Sequence, residues 1–103
     1  MSRSAIHGFM TTQKQYESEI TNTRNQLEEL QQEKMVLENT LNNKLSNGEI
    51  IKGTDQYNTM ISEIQTLDSS IDTATTNLEQ YLYDLSQLNI EANKKIESVV
   101  DSL

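Results

Sequence analysis

The sequence contains no cysteine, no proline and no tryptophan. Without cysteine there is no disulfide framework and no thiolate metal site. Without proline, no ring interrupts a helix, so long stretches of chain stay open to that conformation. Glycine occurs three times, and phenylalanine and histidine once each, in 103 residues. A single histidine, His7, leaves little from which to build a nucleophile–histidine–acid array. No apolar run approaches the roughly 18–20 residues that span a bilayer. The first ten residues, Met1 to Met10, hold no signal-type apolar segment, and Ser2 stands where N-myristoylation requires glycine. The expectation is a soluble protein, cytoplasmic or within an assembled particle, with no cleavable secretion signal.

Basic residues are missing from one region. Up to Leu45, six acids face five bases, but from Thr54 to Asn93 there are seven acids and neither lysine nor arginine. The net charge is −8. Direct nucleic-acid binding needs a basic footprint, and this stretch repels phosphate. It serves as a solvated helix face or as a surface for a basic partner.

Polar uncharged residues dominate what is present. Asn, Gln, Ser and Thr fill roughly two-fifths of the chain, and the apolar share is 34%. That is thin for a compact globule, which leaves an elongated helical coiled coil or disorder. Periodicity favours the coiled coil. From Phe9 to Lys44 a four-three spacing runs unbroken through Phe9, Gln13, Tyr16, Ile20, Thr23, Leu27, Leu30, Lys34, Leu37, Leu41 and Lys44. A cleaner stripe follows: Tyr57, Ile64, Ile71, Leu78, Leu85, Ala92 and Val99 recur every seven residues, with Met60, Leu67, Ala74, Tyr81 and Leu88 interleaved. The spacing predicts helices over 9–46 and 55–103, preceded by a flexible arm over 1–8.

Between the helices lies Ser46 to Asp55. Asn47-Gly48 suits a left-handed helix cap, and Thr54 or Asp55 suits the start of the next helix. Folding back about a loop at 47–54 sets Leu41 level with Met60, Leu37 with Ile64, Lys34 with Leu67, Leu27 with Ala74 and Phe9 with Ala92. Large residues then tend to face small ones. The predicted fold is all-α, an antiparallel coiled-coil hairpin. Its seam is formed by Tyr16, Ile20, Leu27, Leu30, Leu37 and Leu41 on the first helix. The second helix contributes Tyr57, Ile64, Leu67, Ile71, Leu78, Tyr81, Leu85 and Leu88.

Two helices this polar bury little apolar surface for the chain they must order. Met35, Val36, Ile61, Leu82 and Ile96 also widen the apolar faces beyond a two-stranded seam. A larger helical bundle is expected, formed with copies of the chain or with another protein. Ile96, Val99, Val100 and Leu103 extend past the expected end of the first helix and are candidate partner contacts, unless Ala5 and Ile6 fold over them or the end frays. Ile50 and Ile51 at the loop either dock into a partner or turn inward and plug the end of the bundle.

Chemistry is sparse. Carboxylates at Glu17/Glu19 and Glu28/Glu29 sit one or two residues apart, so on a helix they diverge instead of converging on a metal or substrate. No catalytic residue, metal site, cofactor site or small-molecule substrate is expected, and the chain reads as a non-enzyme. Lys34 and Lys44 on the seam either fix pairing or reach out to solvent. Tyr83, off the seam, suits an outer contact.

The outline resembles that of the small secreted hairpin proteins with a Trp-x-Gly turn, since Ile51-Lys52-Gly53 stands where that turn would be. The tryptophan and the family's Tyr-x-x-x-Asp export motif are absent, so the likeness is one of shape. Prefoldin subunits are similar in outline, but their β-hairpin insert has no counterpart in Glu49-Ile50-Ile51-Lys52. Phage and secretion-apparatus components are similar in their polar, cysteine-free composition. The functional expectation is a structural or assembly protein in such a complex, acting through coiled-coil contacts. The alternative is a small chaperone or secreted binding module holding one partner.

Overall fold

A computed structural model describes residues 3–102. Helix α1 spans Arg3–Ser46 and helix α2 spans Asp55–Ser102, and the two pack against each other as an antiparallel hairpin. The chain divides into two compact units, Asn25–Thr75 and a second whose described residues are 3–24 and 76–102. Each unit is a pair of antiparallel helical segments, and the first also contains the loop.

The seam follows the sequence stripes. Every four-three position from Phe9 to Lys44 is buried or half-buried, and so is every stripe position from Tyr57 to Ala92. Residues between them are mostly exposed. Ile20, Leu41, Ile50, Ala74 and Ala92 are the buried apolar side chains, and Thr23 is a buried polar one. No large side chain among the described residues is wholly excluded from water. This follows from a two-helix layer, in which every seam residue has solvent on at least one flank.

Within Asn25–Thr75, the loop is fixed by backbone chemistry. The Glu49 N–H donates to the Lys44 carbonyl at 2.9 Å and the Gly48 N–H to the Leu45 carbonyl at 3.2 Å. Together with a left-handed Gly48 (φ 72) these bonds form a Schellman cap, which satisfies the last carbonyls of α1. Thr54 caps α2: its Oγ1 accepts from the Tyr57 N–H at 3.4 Å and donates to the Ile51 carbonyl at 2.7 Å. Gly53, also left-handed (φ 87), turns the chain into that cap.

At the chain's start the structure corrects the expected arm. Residues 3–8 are the first turns of α1, not a flexible segment. Gly8 weakens a helix but does not end one, and no proline intervenes. The Thr11 and Thr12 hydroxyls donate to the carbonyls of His7 and Gly8 four residues back, so these threonines sit within continuous helix. Helix α1 therefore runs alongside α2 beyond Ala92, where its end had been placed. Met1, Ser2 and Leu103 lie outside the described residues.

Candidate functional site: an apolar groove where the helix ends meet

In the unit formed by 3–24 and 76–102, the register places Phe9 beside Ala92. Both line the same two clefts, one on each side of the helix pair. Beyond this layer the seam loses its cover. Ile96, Val99 and Val100 continue the apolar stripe of α2, but the α1 residue level with Ile96 is only Ala5. Their exposures are 52%, 44% and 60%. On α1, Ile6 and Met10 lie one turn apart and are also exposed. Together with Phe9 and Ala92 these five side chains line an open groove of about 420 Å³.

The walls of this groove are apolar and its rims are charged. Arg3, Ile6, Met10 and Lys14 follow one another at spacings of three and four, so they share one face of α1. The apolar pair is thus bracketed by two bases. On α2, Lys94 and Lys95 precede Ile96, Glu97 follows it and Asp101 follows Val100, so the charges of this segment balance. All six charged residues are exposed.

Ile96, Val99 and Val100, expected as partner contacts, are all uncovered in this groove, while Leu103 falls outside the described residues. Ile6 and Met10 were missed, because reading 1–8 as an arm removed the helix on which their spacing has meaning. The alternative, with Ala5 and Ile6 folded over the α2 end, does not describe the arrangement. Ile6 is itself exposed and forms a wall of the groove.

At the loop, the two isoleucines part company. Ile50 turns inward and is 7% exposed, whereas Ile51 is 68% exposed. Ile50 is therefore withdrawn as a partner contact. It closes the layer beside Lys44 and Met60, which line a neighbouring cleft with it. The geometry follows from the Schellman cap, which brings the Ile50 N–H back to the Lys44 carbonyl at 3.3 Å. Ile51 lies one residue further, where its carbonyl serves the Thr54 cap and its side chain faces water.

Elsewhere the exposed apolar residues are scattered. Met35 and Val36 lie on α1, and Leu82, Tyr83 and Ile90 on α2. Val36 and Leu37 share a shallow cleft with Glu29, Gln32 and Glu33, all from α1 itself. Lys34, at a seam position, reaches outward and pairs with Asp68 on α2 and with Glu38 on α1 at 3.7 Å. Its hydrogen bond to Asp68, aided by the charge of that carboxylate, raises its pKa above the ordinary 10.5. Asp68 adjoins Leu67, the residue that the register sets level with Lys34.

Among the described residues no cluster of three or more His, Cys, Asp or Glu is arranged to hold a metal ion. No described helix is long and apolar enough to cross a membrane. No protein family matches the chain, and neither a curated protein nor a solved structure matches it.

Proposed function

We propose that this chain is a non-enzymatic structural or assembly protein, whose helical hairpin packs with further helices in a larger complex. The observation that carries the reading is the groove at the helix ends. There the apolar stripe of α2 runs on through Ile96, Val99 and Val100, which stay exposed although α1 lies alongside. Exposed apolar side chains grouped in one strip and edged by charge are the usual mark of a protein contact. The polar, acidic remainder of the hairpin keeps the unassembled chain in solution. In this reading partners are proteins, and neither a cofactor, a nucleic acid nor a small-molecule substrate takes part. The complex is of the kind built from polar helical components, such as a phage particle or a secretion apparatus.

Affinity recovery of the tagged chain from its native cell, followed by mass spectrometry, tests this. Stoichiometric recovery in a large particle is the expected outcome. A one-to-one soluble complex would instead favour a chaperone or secreted binding module. Recovery with turnover of a small molecule would overturn both.

A further inference from the structure

We propose that Asn47 is a modification site: it loses its side-chain amide to attack by the Gly48 nitrogen, and the product unlocks the loop end of the hairpin. The inference is independent of the assembly reading.

Sequence and structure both single out this residue. Asn47-Gly48 is the one Asn-Gly pair in the chain, and every other asparagine lies within α1 or α2. Asn47 and Gly48 are both exposed. Glycine matters because no side chain shields its nitrogen, and a Cβ on Gly48 would meet nothing within 4 Å. Space is thus free for a ring to form and for water to reach it. A nucleophile held on the same chain also replaces a bimolecular hydrolysis, which lowers the entropic barrier.

The step balances with water as its only co-reactant. The Gly48 nitrogen attacks the Cγ of Asn47 and gives up its proton. The Cγ–Nδ2 bond breaks, and the amide nitrogen leaves as ammonia with that proton. Water then opens the succinimide at either carbonyl, giving aspartate or isoaspartate at position 47.

The helix cap sets the rate. The Asn47 N–H donates to the Asn43 carbonyl at 3.0 Å, and the Gly48 N–H to the Leu45 carbonyl at 3.2 Å. Ring closure turns the peptide plane between Asn47 and Gly48, so the second bond breaks first. Reaction therefore proceeds from the locally opened cap, while asparagines inside the helices stay held by the full ladder.

The product alters the loop in two ways. Isoaspartate routes the backbone through Cβ and so inserts an extra atom before Gly48. The bonds from the Glu49 and Ile50 N–H groups to the Lys44 carbonyl, at 2.9 and 3.3 Å, depend on the original spacing. Its carboxylate also adds negative charge at the end of α1, where the helix dipole disfavours it. Buried Ile50 then loses the geometry that carries it inward.

Ageing of the full chain at mildly alkaline pH, with peptide mapping by mass spectrometry and isoaspartate labelling, tests the proposal. Conversion is expected at Asn47 and at no helical asparagine, about tenfold to a hundredfold more slowly in the native chain than in urea. An Asn47→Gln variant, whose longer side chain closes this ring poorly, is expected to stay unmodified and fully helical. The isoaspartate form, purified from the aged mixture, is expected to exchange its amides faster over 44–50 than an Asn47→Asp variant, which has the charge without the extra atom. An Asn47 that stays intact natively after converting in urea, or helical asparagines that convert as fast, overturns the site. Conversion as fast natively as in urea overturns control by the cap. Exchange over 44–50 no faster in the isoaspartate form than in wild type overturns the unlocking of the loop.

Discussion

At the loop, the last apolar side chain of the seam turns back over the layer beneath it, whereas at the helix ends the seam simply runs out of cover. Ile50 is 7% exposed, and Ile96 is 52% exposed. Both are β-branched isoleucines next to a seam layer, so hydrophobicity does not separate them. Backbone connection does. The loop ties α1 to α2 through a Schellman cap and a threonine cap, and these hydrogen bonds carry Ile50 inward. Among the described residues the helix ends have no such connection, and Ile96 stays exposed there.

The strongest way to break this comparison is to charge the two neighbouring isoleucines of the loop. Ile50→Asp is expected to lower stability by about 3 kcal/mol, by removing a buried side chain and burying a carboxylate. Ile51→Asp is expected to change it by about 0.5 kcal/mol or less. Chemical denaturation followed by circular dichroism checks the pair. Equal effects would mean that the loop does not choose between them.

Next in size comes a comparison of glycines. A Cβ at Gly48 or at Gly8 would meet nothing within 4 Å, so only backbone conformation distinguishes the two sites. Gly48→Ala is expected to cost about 1–2 kcal/mol, because φ 72 is left-handed. Gly8→Ala is expected to stabilise by about 0.5–1 kcal/mol, because Gly8 lies inside α1. Thermal melts of the two variants should move in opposite directions. A loss at Gly8 would return residues 3–8 to the arm that the sequence suggested.

The smallest expected effect lies away from both ends, at Lys34. Pairing with Asp68 raises its pKa above 10.5. The stability it contributes is thus complete below pH 10.5 and is lost as pH rises through the raised value. The difference in stability between wild type and Lys34→Met, measured from pH 9 upwards at about half-unit steps, should shrink only at the alkaline end. A difference that already shrinks near pH 9 would detach Lys34 from Asp68.

These comparisons also show what was legible in the residues alone. The seam was, from Phe9 to Lys44 and from Tyr57 to Ala92, because a four-three repeat is itself a statement about which side of a helix is covered. The loop boundaries were too, since Asn47-Gly48 and Thr54 are cap residues by their own chemistry. The start of α1 was not. Gly8 and the short polar residues Ser2 and Ser4 look like an arm, and only the helix itself gives Ile6 and Met10 a shared face. Nor was the choice between Ile50 and Ile51, because two adjacent identical side chains differ only through the torsions set by Gly48 and Gly53. The groove was half visible. Its α2 wall follows from the heptad, but its α1 wall needed the corrected helix start.

Amide hydrogen exchange of the chain, alone and within the complex recovered with it, tests the central claim most directly, because it locates the surface that a partner covers. The expected result is protection that rises on assembly over 3–14 and 92–102 and stays unchanged around the loop at 41–60. Protection that rises around the loop, or nowhere, would contradict a hairpin whose loop end is closed by its own backbone and whose exposed strip is a contact surface.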